Sequence, residues 1–202
     1  MIIHFITILR PLNLLITLIC ILLSALIIDK LSYAIIPLSI VILLLAGFSN
    51  IINDIFDYKI DQANRLNRPL ASGSMKRLYA IIYAISLLCI SLFIIFYYQF
   101  NAITKALILC INLPLIISYT PIFKKITLIG NIVISFILGM IFIVTTTYLN
   151  GNIYLILPPS ILAFLLMIIR EIIKDIAAVT ERYKRKGNTT IQLNVRDIIF
   201  HG

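Results

Sequence analysis

Four polar side chains stand close together near the end of the second long apolar run of the chain. Asn53, Asp57 and Asp61 are spaced four residues apart, so on a helix they form one stripe that drifts by about 40° per step. Asp54 lies about a quarter of a turn away. Carboxylates this close repel one another unless a cation neutralises them. Mg²⁺ suits the role because it prefers oxygen ligands and takes one or two carboxylates together with substrate phosphates and water.

Basic residues follow this stripe directly along the chain. Arg68 belongs to a segment rich in lysine and arginine, and a guanidinium offers phosphate oxygens a two-pronged set of donors. The alternative is an ordinary solvated helix end, with the carboxylates paired to Lys59 and Arg65. The joint occurrence of an asparagine, regularly spaced aspartates and a basic segment favours a site for Mg²⁺ and phosphate.

The composition places this stripe in a membrane protein. Of the 202 residues, 61% are hydrophobic and 12% are charged, which is about half the charge usual in a soluble domain. The apolar runs are long enough to cross a bilayer and lack the alternation of barrel strands, so they predict α-helices. The predicted fold is therefore an all-α, polytopic transmembrane helical bundle in one domain, residues 1–202. The six predicted spans are Ile6–Ile28, Ala34–Tyr58, Leu78–Tyr98, Ala102–Tyr119, Leu128–Leu149 and Ile153–Ile173.

The positive charges alternate between the loops that join these spans. The segments after the second, fourth and sixth spans are basic, whereas the intervening loops are almost uncharged. This alternation predicts a multi-pass protein of the cell membrane with its N-terminus, its basic loops and the acidic stripe on the cytoplasmic side. Topology and contact with anionic membrane lipids also account for the net charge of +9, so we expect no nucleic-acid partner.

Four segments resemble one known family. The segment NDIFDYKIDQANRLNRPLASGSM, residues 53–75, resembles the first signature of the UbiA superfamily of intramembrane prenyltransferases, N-D-x-x-D-x-x-x-D followed by N-R-P. Three others agree with the family in their order: RPLN at 10–13, YTPIFKKITLIGN at 119–131 and REIIKDI at 170–176. The last is similar to the end of the sixth helix in the lipid-synthase branch, whose members prenylate a glyceryl phosphate.

The resemblance implies a reaction and a set of residues. Family members hold a polyprenyl diphosphate through two Mg²⁺ ions, and a nucleophile captures the allylic carbon as the diphosphate leaves. The resemblance implies Arg68 and Lys124 as ligands of the diphosphate, and Arg170 and Lys174 as substrate-binding residues of a second site on the sixth helix. The implied metal ligands are Asn53, Asp54, Asp57, Asp61, Asp175 and Glu181, of which Asp57, Asp61 and Asp175 are the implied catalytic residues.

The chain departs from the family pattern in two places. Ala177 and Ala178 stand where the lipid-synthase branch carries acids, which predicts a weakly held second metal and slow or absent transfer. Members of the family generally have nine helices, so the six predicted here lead us to expect a C-terminally truncated member.

The favoured function is Mg²⁺-dependent transfer of a geranylgeranyl group to a prenylglyceryl phosphate. Two alternatives stay open at this stage. In the first alternative the acceptor is aromatic, as in menaquinone biosynthesis. In the second the chain is a non-catalytic remnant that binds isoprenoid diphosphate.

Overall fold

The computed structural model describes the backbone of residues 2–63 and 68–185, which fold into helices joined by short turns. Short 3₁₀ helices precede α3 and α7, at Tyr33–Ile35 and Phe123–Lys125, and a π-helical turn, Leu107–Asn112, joins α5 to α6. The predicted all-α fold is confirmed. The α-helices are α1 (Ile2–Thr7), α2 (Pro11–Ile27), α3 (Ile36–Ala63), α4 (Arg77–Tyr97), α5 (Ala102–Ala106), α6 (Leu113–Tyr119), α7 (Thr127–Tyr148) and α8 (Ile153–Arg185).

Five helical segments in the described part of the chain are long and apolar enough to cross a membrane. They are Tyr33–Ala63, Arg77–Tyr97, Ala102–Tyr119, Leu128–Tyr148 and Ile153–Thr180. The shorter α2 is also apolar and has 17 residues. These five segments and α2 correspond to the six predicted spans. Helices α3 and α8 continue well beyond the predicted ends of their spans at Tyr58 and Ile173. This added length carries Asp61 and Asp175 on regular helix.

The first predicted span was wrong at its beginning. The helix does not run through from Ile6, because it is interrupted at Arg10, where the backbone takes the left-handed conformation with φ 54° and ψ 74°. A residue before proline is kept out of the right-handed helical region by the proline ring, so Pro11 starts a new helix. The break turns the Arg10 side chain towards α3, where it meets Asp54.

A similar constraint shapes the span from α5 to α6. Pro114 lies in the first turn of α6, where its ring would clash with the carbonyl of Cys110 if the regular α-helical pattern continued. The wide π-helical turn at Leu107–Asn112 relieves this clash and brings Asn112 to its C-terminal end.

The bundle is built around α3. In the segment that contains α3, 56% of an apolar 18-residue stretch is buried inside the bundle. The corresponding share for the segment in α8 is 11%. Helix α3 packs against α4 on one side and α2 on the other, while α7 contacts both α2 and α8. The polar end of α3 is also buried inside the bundle.

Close contact between α7 and α8 depends on a glycine. A Cβ atom added at Gly139 would lie 3.1 Å from the backbone oxygen of Ser160, and the Ser160 hydroxyl donates a 2.9 Å hydrogen bond to the Gly139 carbonyl. Small residues let helices in a membrane approach this closely. The contact fixes α8 beside α7 and so sets the position of Asp175.

Candidate active site

A cavity of about 960 Å³ lies between α2, α3, α6, α7 and α8. Most of its charged and amide side chains lie at one end of the cavity, next to the acidic C-terminal parts of α3 and α8. Its other walls are mainly aliphatic. The polar lining residues there include Arg10, Asn53, Asp57, Arg68, Lys124, Asn131, Arg170, Glu171, Lys174 and Asp175. Such a cavity can hold a molecule with an anionic head and a long apolar chain.

The predicted stripe on α3 is buried, and its members divide into two groups. Asn53 and Asp57 line the cavity, whereas Asp54 and Asp61 do not. All four are between 2% and 9% exposed. Charged groups inside a bundle need partners of opposite charge. The buried aspartates of the stripe therefore require nearby cations to neutralise them.

Three cations supply that neutralisation. Arg68 places Nη1 2.6 Å from Oδ2 of Asp61, 3.5 Å from Oδ1 of Asp54 and 3.9 Å from Oδ2 of Asp57. Lys124 forms an ion pair with Asp57, and Arg10 forms one with Asp54. The sequence suggested Lys59 and Arg65 as alternative partners. Lys59 is exposed, and Arg65 lies outside the described residues.

Lys124 reaches Asp57 because the turn that carries it packs tightly on α7. A Cβ atom at Gly130 would lie 3.1 Å from the carbonyl oxygen of Phe123 and 3.2 Å from the Cα atom of Lys124. On the same side, the Thr120 hydroxyl donates a hydrogen bond to the side-chain oxygen of Asn53. These contacts couple the turn after α6 to the stripe on α3.

The second predicted site on α8 also reaches the cavity. Asp175 accepts a 2.8 Å hydrogen bond from the side-chain amide of Asn131 on α7. Arg170 donates a 3.0 Å hydrogen bond to Glu171, and Lys174 pairs with the other oxygen of the same carboxylate. The Arg170 and Lys174 side chains remain 48% and 59% exposed.

Four of these residues lie in segments that resemble the family, but sequence reasoning gave them no role. Arg10, Thr120 and Asn131 complete ion pairs or hydrogen bonds across helices, which a single chain pattern does not show. Glu171 could have been found, because it precedes Asp175 by four residues and shares its helix face. It is only 3% exposed.

The resemblance predicted acids at two positions of α8 that hold alanine. Ala177 and Ala178 are exposed and do not line the cavity. Glu181 lies on α8, but its side chain is outside the described part of the protein.

The oxygen donors of the cavity suit Mg²⁺ when a substrate supplies further ligands. In the described ranges, no three His, Cys, Asp or Glu side chains come together as a metal centre. The cavity does present oxygen donors from Asn53 and Asp57 on α3 and from Asp175 on α8. Because Mg²⁺ commonly takes one or two carboxylates and completes its shell with substrate phosphate and water, these residues fit an ion shared with a diphosphate.

The fold and the site define an intramembrane protein whose cavity is polar at one end and apolar along its walls. Comparison with known proteins supports this class. The model of the UbiA prenyltransferase family matches residues 13–193. The chain belongs to the UbiA prenyltransferase family. The family resemblance read from the motifs is therefore confirmed.

Two relatives and one solved structure resemble the chain closely. The digeranylgeranylglyceryl phosphate synthase of Methanothermobacter thermautotrophicus is 34% identical over 189 residues, covering 94% of this chain and 66% of that protein. The synthase of the same name from Methanosphaera stadtmanae is 35% identical, covering 92% and 66%. The chain thus spans just under two thirds of the length of these relatives. A solved structure described as a digeranylgeranylglyceryl phosphate synthase in membranes has a TM-score of 0.75 at 25% identity, covering 96% of this chain and 68% of that one.

Proposed function

We propose that this protein transfers a geranylgeranyl group from its diphosphate to a hydroxyl of a prenylglyceryl phosphate, with Mg²⁺ as cofactor. One observation carries the proposal: the acidic and basic residues of α3 and α8 line one cavity together, and its other walls are mainly aliphatic. The names and similarity of the relatives favour this branch of the family over an aromatic-acceptor enzyme.

The diphosphate of the donor would occupy the end of the cavity between Asp57 and Asp175. Lys124 and Arg68 already lie beside Asp57 and can turn their donors to phosphate oxygens. The prenyl chain would lie along the aliphatic walls, which are as apolar as the lipid tails that it leaves. In this arrangement the allylic carbon would lie just below the charged residues.

Asn53, Asp57 and Asp175 are the residues that would hold Mg²⁺. When bound, the metal neutralises the negative charge that develops on the leaving diphosphate. The described contacts give each of these residues a support: Thr120 for Asn53, Lys124 for Asp57 and Asn131 for Asp175. Supports of this kind keep ligand side chains oriented.

The protein's own residues would act mainly by positioning and by excluding water. Arg170 and Lys174 present two cations to the cavity from α8 and would bind phosphate oxygens of the acceptor, while Glu171 holds both side chains in place. The aliphatic walls would keep water away from the allylic carbon, so that the acceptor hydroxyl captures it as the bond to diphosphate breaks. The hydroxyl proton would pass to the released diphosphate. The polar ends of α3 and α8 would face the cytoplasm, as the distribution of basic loops predicts.

A transfer assay tests this function. Membranes containing the protein should convert geranylgeranyl diphosphate and geranylgeranylglyceryl phosphate into the diether product when Mg²⁺ is present, slowly because Ala177 and Ala178 replace acids. The Asp57→Asn variant should lose this activity, and Asp29→Asn should keep it, because Asp29 is exposed in a turn away from the cavity lining. Product formed equally by Asp57→Asn would reject the proposed site, and the absence of both product and diphosphate binding in the unmodified protein would reject the function. Diphosphate binding without any product would favour the binding-only alternative.

A further inference from the structure

Asn112 carries a polar group whose hydrogen-bonding capacity is not used by the protein. Of the described side chains, two have a buried oxygen or nitrogen atom without a hydrogen-bond partner, Oδ1 of Asn112 and Oγ1 of Thr146. Asn112 lines the cavity and Thr146 does not. An unpaired amide inside a membrane protein is costly, so its presence on a cavity wall indicates a ligand that pairs with it.

The surroundings of Asn112 narrow the class of ligand. Its neighbours one turn before and after on the same wall are Ile108 and Ile116, which carry no polar side-chain atoms. The cavity lining contributed by α2 and α3 includes the uncharged polar residues Thr17 and Ser49. Since these groups are uncharged, they suit a neutral oxygen of a ligand and offer no counter-charge to a phosphate.

The depth of Asn112 separates it from the charged end. It precedes Thr120, the partner of Asn53, by eight residues, or about 12 Å along the helix. Arg170 precedes Asp175 by five residues on α8, or about 8 Å. A phosphate held by Arg170 would therefore direct the part of the acceptor next to it towards the level of Asn112.

We propose that the side-chain amide of Asn112 binds an uncharged oxygen, hydroxyl or ether, in the glycerol unit of the acceptor and so selects for a glyceryl acceptor. A rotation about the last side-chain torsion exchanges oxygen and nitrogen, so the amide can offer either an acceptor or a donor. The π-helical turn that ends at Asn112 fits this role, since such turns often occur at functional sites. The inference rests on the proposed function, because it presupposes a prenylglyceryl phosphate.

Equilibrium binding of two ligands to the purified full chain in nanodiscs tests this role. Geranylgeranylglyceryl phosphate contains the glycerol oxygens, and geranylgeranyl monophosphate has the same chain and a phosphate without them. In Asn112→Leu, which is close in size, the affinity for the first ligand should fall about tenfold and that for the second should change less than about twofold. Asn112→Ala should show the same selectivity.

Thr146→Val is the matched control, because it removes the other unpaired buried polar atom away from the cavity. Asn112→Leu and Thr146→Val should both raise the unfolding temperature, but Thr146→Val should leave both affinities unchanged. Equal affinity of Asn112→Leu and the unmodified protein for geranylgeranylglyceryl phosphate would overturn the inference, as would destabilisation by both Asn112 variants. If the unmodified protein binds neither ligand, the proposed function itself fails.

Discussion

The side-chain amide of Asn131 on α7 donates a 2.8 Å hydrogen bond to the carboxylate of Asp175 on α8. Asn131 is 7% exposed, so this contact is made inside the bundle. Among the described side chains the partner of Asp175 is thus neutral, whereas Asp57 on the opposite wall has a lysine and an arginine close by. The hydrogen bond orients Asp175 without neutralising it.

Asn131→Leu should therefore weaken Mg²⁺-dependent binding of geranylgeranyl diphosphate by about tenfold, which is usual for loss of a residue that orients a metal ligand. Titration calorimetry on the purified protein measures this change. Ser160→Ala is the control, because it also removes one side-chain hydrogen bond between α7 and α8, but at Gly139 and outside the cavity lining. Equal losses in both variants would assign Asn131 to helix packing alone.

Asp61 has a different predicted role from Asp57, although both belong to the same stripe. It does not line the cavity, and its 2.6 Å ion pair with Arg68 is largely buried. Asp61→Asn should lower the free energy of unfolding by about 1–3 kcal/mol, because Arg68 loses its shortest contact. Its effect on diphosphate binding should be smaller than that of Asp57→Asn. Thermal unfolding compared with Asp29→Asn checks the stability, and a binding loss as large as that of Asp57→Asn would show that Asp61 meets the ligand directly.

The two alanines of α8 at which the resemblance predicted acids lie on different faces of the helix. Ala178 follows Asp175 by three residues and is about 60° from it around the helix, whereas Ala177 is about 160° away. Ala178→Asp should therefore strengthen Mg²⁺-dependent diphosphate binding, and Ala177→Asp should not. Affinities measured at several Mg²⁺ concentrations compare the pair. Strengthening by both variants would mean that added negative charge acts at a distance, without a specific position.

The orientation of the bundle can be tested with single cysteines in a background lacking Cys20, Cys89 and Cys110. Ser74 is exposed in the turn before α4, and Asn152 is exposed in the turn before α8, at the opposite helix ends. In intact cells Ser74→Cys should resist a membrane-impermeant thiol reagent, and Asn152→Cys should react. The reverse result would place the acidic ends of α3 and α8 outside the cytoplasm.

The sequence predicted the helices and much of the site because both depend on local patterns. Apolar runs define the spans, and the four-residue spacing predicted that Asn53 and Asp57 share a face. It did not distinguish Asp57 from Asp61, since their access to the cavity depends on neighbouring helices. Arg10 meets Asp54 only because Pro11 breaks the helix, and the pairing of Asn131 with Asp175 depends on how α7 packs against α8. Contacts of this kind join distant parts of the chain and leave little trace in a single sequence.

Mg²⁺-dependent binding of geranylgeranyl diphosphate to the purified chain tests the central claim most directly, namely that the polar end of the cavity holds the donor diphosphate. The unmodified protein should bind only when Mg²⁺ is present. Asp57→Asn should reduce the affinity at least about tenfold, and Asp29→Asn should bind like the unmodified protein. Binding that does not need Mg²⁺, or that is equally tight in Asp57→Asn, would contradict the account.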